Sequence, residues 1–217
     1  MHPPIVASAF PLGLSMPGWE SCDHVAVARW LRLGVERVAD AGADFYICPD
    51  NTAHIVLESI AESLPIPGLH VADVVCSEMQ ATGRRVASLL GTYWTMNGPV
   101  YVEALHRRGL QLLVPHDADQ QYIHCAIFEE LCLGRLLPAT TDQFVRVIEE
   151  LRSRGADCAI LGCTEIPLLI TQHNSPLPVL DSTRLLAKYA VRVALANAPL
   201  ASRGGWIRTG DPENGGD

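Results

Sequence analysis

Gly155-Ala156-Asp157-Cys158-Ala159-Ile160-Leu161-Gly162-Cys163-Thr164-Glu165 decides the fold. It reads as a turn glycine, a short apolar run and a polar cluster where the run stops. An apolar run of this length, bounded by turn residues, is the pattern of a strand buried on both faces. The pattern has a counterpart 113 residues earlier, where Gly42-Ala43-Asp44 leads into Phe45-Tyr46-Ile47-Cys48 and then Asp50-Asn51-Thr52. A helix-like run precedes each copy, over 27–41 and 140–154. Downstream, Pro65-Ile66-Pro67-Gly68-Leu69-His70 resembles Pro176-Leu177-Pro178-Val179-Leu180-Asp181. Under the first offset Asp50 pairs with Cys163.

The rest of the chain alternates in the same way. Strands are predicted at 5–10, 45–48, 68–70, 86–90, 110–114, 158–161 and 179–180, and helices at 23–41, 53–63, 72–82, 96–108, 119–131, 141–154 and 183–196. Alternating β and α units imply parallel sheet covered by helices on both faces. With the repeat, the expected fold is α/β: two pseudo-symmetric parallel-sheet lobes facing a central cleft. The carboxyl ends of the strands line that cleft, where open α/β sheets bind ligands. The predicted division is 1–82 for the first lobe, 83–174 for the second, 175–200 returning to the first, and 201–217 as a flexible, glycine-rich C-terminal extension.

Composition limits the function. The chain has 217 residues, 48% of them hydrophobic and 18% charged, enough for a sizeable core. Sixteen basic against 24 acidic residues leave a net charge of −8, which argues against a general nucleic-acid binder. No apolar run approaches the roughly 20 residues of a membrane span, and no signal peptide is read at the start. Seven cysteines without a CxxC pair point to a reduced, cytoplasmic protein without a zinc site. His116, Asp117 and Asp119 read as a solvated turn rather than a metal site.

Two proton-transfer groups on opposite sides of a small ligand suit inversion at carbon: one removes a proton and the other returns one to the opposite face. Cys163 is the expected thiolate base. A short helix over 165–169 is expected to favour its ionised form through the helix dipole. Asn51, Thr52 and Thr164 are donors for a substrate carboxylate or an enolate-like anion.

These residues also carry a resemblance. The stretch from Gly155 through Glu165 to Leu169 resembles the second signature of the aspartate/glutamate racemase family, and Asp50-Asn51-Thr52-Ala53-His54 resembles the first. Leu89-Leu90-Gly91-Thr92-Tyr93-Trp94-Thr95-Met96 and Glu129-Glu130-Leu131-Cys132-Leu133-Gly134 resemble further stretches of the amino-acid racemase branch, so that the likeness spans about 2–196. The resemblance implies a racemase working without pyridoxal phosphate or metal, as a homodimer, on a small-molecule amino acid such as aspartate or glutamate. It implies Cys163 as a catalytic cysteine. Thr164 and Glu165 would orient substrate and thiol, and Asn51, Thr52, Thr92 and Thr95 would line the substrate site. Single-cysteine decarboxylases or cis-trans isomerases of the same superfamily, and a non-catalytic ligand-binding relative, are the alternative readings.

The sequence departs from the family in two places. Asp50 stands where the family's other catalytic cysteine commonly falls. An aspartate is an ordinarily weak base that burial would strengthen, which predicts an asymmetric enzyme. The other reading of Asp50 is a cap on the helix beginning near Ala53. In the second, the first lobe is expected to be short of an N-terminal strand within the sequence given. The partner of strand 86–90 is expected upstream of Met1, and Met16-Pro17-Gly18-Trp19-Glu20-Ser21 is only a superficial match to the family's glycine-rich turn. His54 is expected to tune the site from behind; His70 and Asp181 end pseudo-equivalent strands and are expected either to orient groups near the cleft or to act as strand-end polar caps.

Overall fold

The structure, a computed structural model, describes residues 3–196, 200, 204–207 and 209. In chain order the helices are α1 (Met16–Glu20), α2 (His24–Asp40), α3 (His54–Ile60), α4 (Val71–Ala81), α5 (Tyr93–Asn97), α6 (Pro99–Arg107), α7 (Asp117–Glu129), α8 (Pro138–Ser153) and α9 (Ser182–Leu195). The strands are β1 (Tyr46–Ile47), β2 (Gly68–Leu69), β3 (Val86–Gly91), β4 (Gln111–Leu113), β5 (Cys158–Gly162), β6 (Val179–Asp181) and β7 (Trp206–Ile207).

The two Gly-Ala-Asp turns end their helices in the same way. Gly42 N–H bonds Ala39 C=O and Ala43 N–H bonds Val38 C=O; Gly155 N–H bonds Arg152 C=O and Ala156 N–H bonds Leu151 C=O. This is the Schellman pattern, which needs a left-handed residue at the glycine. Gly42 has φ +89° and Gly155 has φ +105°. A Cβ on Gly155 would meet nothing within 4 Å, so its replacement strains only the backbone. Gly155→Ala is expected to lower stability by about 1–2 kcal/mol in urea or thermal unfolding. Gly13→Ala, which also meets open space but has no left-handed φ, is the neutral control.

The repeat extends to strand pairing. Tyr46 pairs with Gly68 and Ile47 with Leu69 in one sheet; Ala159 pairs with Val179 and Ile160 with Leu180 in the other. All pairings are parallel. One sheet has the order β1-β2-β7 and the other β4-β3-β5-β6. The α/β class and the two parallel sheets expected from the sequence are therefore present.

The described residues divide into two compact units. The first comprises the described parts of Met1–Cys48, Ala53–His70 and Ala187–Asp217. It holds the three-stranded sheet and a core of Val35, Tyr46, Ala53, Leu57 and Leu64. The second comprises Pro49–Thr52 and Val71–Leu186 and holds the four-stranded sheet. There β5 is buried throughout and β3 is buried from Ala87 onward, so helices cover both faces. Phe144, Val147, Ile148 and Leu151 of α8 present one fully buried stripe at helical spacing.

Several expectations need correction. Residues 5–10 form no strand, and Ile5 is 82% exposed. Pro3, Pro4 and Pro11 bracket the segment and lack the N–H a ladder requires. The other edge of β1 carries no strand among the described residues. The single helix expected over 96–108 is two, because Pro99 forces Gly98 into an extended conformation (φ −81°, ψ 170°) between α5 and α6. Within 201–217, expected to be flexible, Trp206–Ile207 pairs in register with Gly68–Leu69 as β7; residues 201–203, 208 and 210–217 lie outside the described residues. Met16–Glu20 forms helix α1, in keeping with the superficial nature of its match to a glycine-rich turn.

Candidate functional site

The second unit's strands present three consecutive polar ends. Gly91 closes β3 and is paired with Gly162, which closes β5. The next residues are Thr92 and Cys163, on neighbouring strands at the carboxyl edge of the sheet. β6 ends at Asp181, followed by Ser182. This is the edge at which parallel α/β sheets place their ligands.

Three threonines meet there. Thr92 caps α5, its Oγ1 accepting from Thr95 N–H at 3.1 Å. Thr52 Oγ1 lies 2.9 Å from both Thr92 Oγ1 and Thr95 Oγ1, and those two lie 3.1 Å apart. The three buried hydroxyls thus close a triangle in which each donor has an acceptor. A carboxylate entering here would exchange these hydroxyl contacts for charge-assisted ones.

Asn51, also buried, is bonded to Ser182 Oγ through Nδ2 (3.0 Å) and to Tyr101 Oη through Oδ1 (2.5 Å). These bonds and those of Thr52 explain why Pro49–Thr52 belongs to the second unit although it follows β1. Asp50 rides on this segment and is exposed. The burial expected to strengthen it as a base is absent. The residue at the N-cap of α3 is Ala53, three positions on, with φ −57° and ψ −27°.

Cys163 is 8% exposed, and its thiol donates to Glu165 Oε2 at 2.8 Å. Burial, and then the Glu165 carboxylate, push the thiol pKa well above the ordinary cysteine value. The stabilisation of a thiolate expected from this chain turn is confined to the Glu165 backbone N–H and is outweighed by burial and the Glu165 carboxylate. Pro167 confines the following residues to a single 3₁₀ turn, Ile166–Leu168, too short to sum a helix dipole. Cys163 therefore rests as a thiol hydrogen-bonded to a carboxylate.

The structure brings together Asn51, Thr52, Thr92 and Thr95 by direct bonds or chain adjacency, and Cys163 with Glu165. Thr164 is exposed. His54 lies fully buried in the first unit, 4.9 Å from the His70 ring and 5.7 Å from Trp206 (centroid to centroid), and His70 Nε2 lies 3.0 Å from Glu58. Asp181 bonds Arg184 N–H, as a cap to α9. Among the described residues no group of three or more His, Cys, Asp or Glu side chains is arranged to hold a metal ion. No helix among them is long and apolar enough to cross a membrane. Sequence reading missed Tyr101 and Ser182. Tyr101 falls inside the helix expected over 96–108, and Ser182 just before the one expected over 183–196.

Known proteins share this arrangement of chain. The sequence pattern of the Asp/Glu/Hydantoin racemase family matches residues 13–190. The broad specificity amino-acid racemase RacX of Bacillus subtilis (strain 168) is 28% identical over 174 residues, which are 80% of this chain and 75% of that protein. A solved structure from Yersinia pestis, of a protein ascribed to the Asp/Glu racemases, superposes with a TM-score of 0.79 at 30% identity, covering 88% of this chain and 83% of the other. An aspartate racemase homologue from Pyrococcus horikoshii OT3 superposes with a TM-score of 0.69 at 31% identity, covering 82% and 76%. The chain belongs to the Asp/Glu/Hydantoin racemase family and is an isomerase of the racemase type.

Proposed function

We propose that the protein inverts the α-carbon of aspartate, glutamate or a related amino acid by two-base proton transfer, with Cys163 on one face and Asp50 on the other. The observation that carries this reading is the anchoring of Asp50-Asn51-Thr52 to the sheet edge where β5 delivers Cys163, through the Thr52 bonds to Thr92 and Thr95. In this reading the three threonine hydroxyls and the Asn51 amide hold the substrate carboxylate. They also stabilise the enolate-like anion formed when the α-proton leaves.

The resting thiol gives the two directions different demands. When Asp50 takes the α-proton, the electron pair stays on the α-carbon and Cys163 returns a proton to the opposite face; its thiol already holds that proton. When Cys163 is the base, its own proton must first pass to Glu165, its hydrogen-bond acceptor. Glu165 then acts behind the thiol. Thr164 serves at the rim of the site. These transfers use only thiol and carboxyl groups, so the reading takes neither pyridoxal phosphate nor a metal. It extends to a cytoplasmic homodimer whose ligand is a free amino acid. The relatives' names include both a broad specificity racemase and an aspartate racemase homologue, which supports screening beyond acidic substrates.

The exposure of Asp50 and the protonated state of Cys163 also favour a second reading, a decarboxylase or cis-trans isomerase with a single cysteine as proton donor. One experiment separates the two: α-proton exchange in D₂O across the common L- and D-amino acids, for wild type and Asp50→Asn. Racemisation predicts exchange by the wild type that Asp50→Asn lowers by about 10²-fold with binding retained. Turnover unaffected by Asp50→Asn supports the single-cysteine reading. Failure of every amino acid to exchange overturns the racemase.

A further inference from the structure

The Asn51 amide sits in a chain of hydrogen bonds whose polarity is set at one end. The Leu161 carbonyl of β5 can only accept, so Ser182 donates its single hydroxyl hydrogen there, at 2.8 Å. Ser182 Oγ is left able only to accept, and it accepts from Asn51 Nδ2. The amide nitrogen therefore faces Ser182 and Oδ1 faces Tyr101, whose hydroxyl must donate. An asparagine can ordinarily present either edge of its amide; here a backbone carbonyl two hydrogen bonds away decides. Tyr101 and Ser182 are fully buried and Asn51 nearly so. Burial also raises the Tyr101 pKa far above the ordinary phenol value, so the phenol remains a donor.

One Nδ2 hydrogen remains after Ser182 has been served. It lies on the residue between Asp50 and the Thr52 hydroxyl, in a setting with little water, where a fixed donor acts strongly on an anion. The acceptor end of the chain, Leu161, is two residues before Cys163. The network thus ties the segment bearing Asp50 to the strand bearing Cys163.

We infer that Tyr101 and Ser182 are positioning residues that lock the Asn51 amide with its remaining N–H toward the substrate carboxylate. This rests on the racemase reading above. The two residues act differently. Without the Ser182 hydroxyl, Tyr101 can either donate to Oδ1 or accept from Nδ2, and the amide loses its preferred orientation. Without the Tyr101 hydroxyl, Ser182 still imposes the polarity and only one bond is lost.

The test is α-proton exchange in D₂O, measured against concentration for the amino acid that the wild type exchanges fastest. Ser182→Ala is expected to raise KM about tenfold with kcat changed less than about threefold, the pattern of lost uniform binding. Tyr101→Phe should raise KM by a smaller factor. Ser182→Thr, which keeps the hydroxyl, should recover much of the loss seen in Ser182→Ala. If Asn51→Ala raises KM while Ser182→Ala and Tyr101→Phe leave it at the wild-type value, the lock is wrong and the racemase reading stands. If the wild type exchanges no amino acid, both fall. Should Ser182→Ala fail to fold, side-chain amide NMR on the wild type decides. The Asn51 NH₂ pair, assigned by its loss in Asn51→Ala, should show one hydrogen protected from solvent exchange. Fast exchange of both hydrogens overturns the lock.

Discussion

Cys163→Ala is expected to lower α-proton exchange by about 10³-fold, within the range that a single positioned acid or base contributes. Its fold should survive, because the change removes one sulfur from a side chain at the end of β5, beyond the strand's paired residues. The pH dependence is the sharper test of the role. With the thiol pKa raised by burial and by Glu165, the thiol form prevails at neutral pH and the thiolate appears only in alkali. The half-reaction in which Cys163 donates should therefore be flat through neutrality and fall above the thiol pKa. The half-reaction in which it abstracts should rise with pH. Alkylation by iodoacetamide, followed residue by residue with mass spectrometry, should speed up at Cys163 about tenfold per pH unit to beyond pH 9, where an ordinary thiol has levelled off. Residue resolution matters because Cys22 and Cys132 are exposed and compete for reagent. Glu165→Gln removes the facing charge and should move the rise to lower pH, though burial keeps it above that of a free thiol. A plateau near pH 8 in the wild type, or racemisation that persists in both directions in Cys163→Ala, would sink the assignment.

What could be read from sequence was whatever local rules govern. The Gly-Ala-Asp turns, the buried run of β5 and the helix boundaries follow from backbone preference and hydrophobic period, and they define the α/β class. The repeat was legible because the paired strands keep their register: Tyr46 with Gly68, Ala159 with Val179. Residues 5–10 were misread because an apolar run says nothing of whether a partner exists to pair with. The short strand Trp206–Ile207 went unread for the opposite reason: two residues carry no period, and the edge of β2 supplies the pairing. In the site, the threonines were legible through motif spacing, while Tyr101 and Ser182 were not. Their role depends on meeting Asn51, 50 and 131 residues away in the chain. The state of Cys163 was misjudged because a two-residue neighbour, Glu165, and a proline at 167 outweigh the helix dipole expected from position alone.

Gly91→Ala should both destabilise the protein and weaken the substrate site, an effect that the motif gave no reason to expect. A Cβ on Gly91 would lie 2.9 Å from the Gly162 carbonyl oxygen and 3.1 Å from Thr95 Cβ and Cγ2. Neither neighbour yields easily. The carbonyl belongs to the paired end of β5, and Thr95 is 1% exposed with its hydroxyl held by Thr52 and Thr92. Overpacking at such a position costs about 1–3 kcal/mol, a fall of several degrees in melting temperature for a chain of this size. Relief requires Thr95 to move, which breaks two sides of the hydroxyl triangle, so KM for the exchanged amino acid should rise about tenfold as well. Gly162→Ala offers the contrast. Its Cβ would meet Leu89 Cδ1 at 2.9 Å, the movable end of a side chain, with Leu90 O at 3.1 Å and Thr95 Cγ2 at 3.3 Å. It should be the milder change in both stability and KM. Thermal unfolding alongside the exchange assay ranks the two variants. A Gly91→Ala protein as stable as the wild type, or one destabilised with an unchanged KM, would show that the glycine pair does not hold the triangle in place.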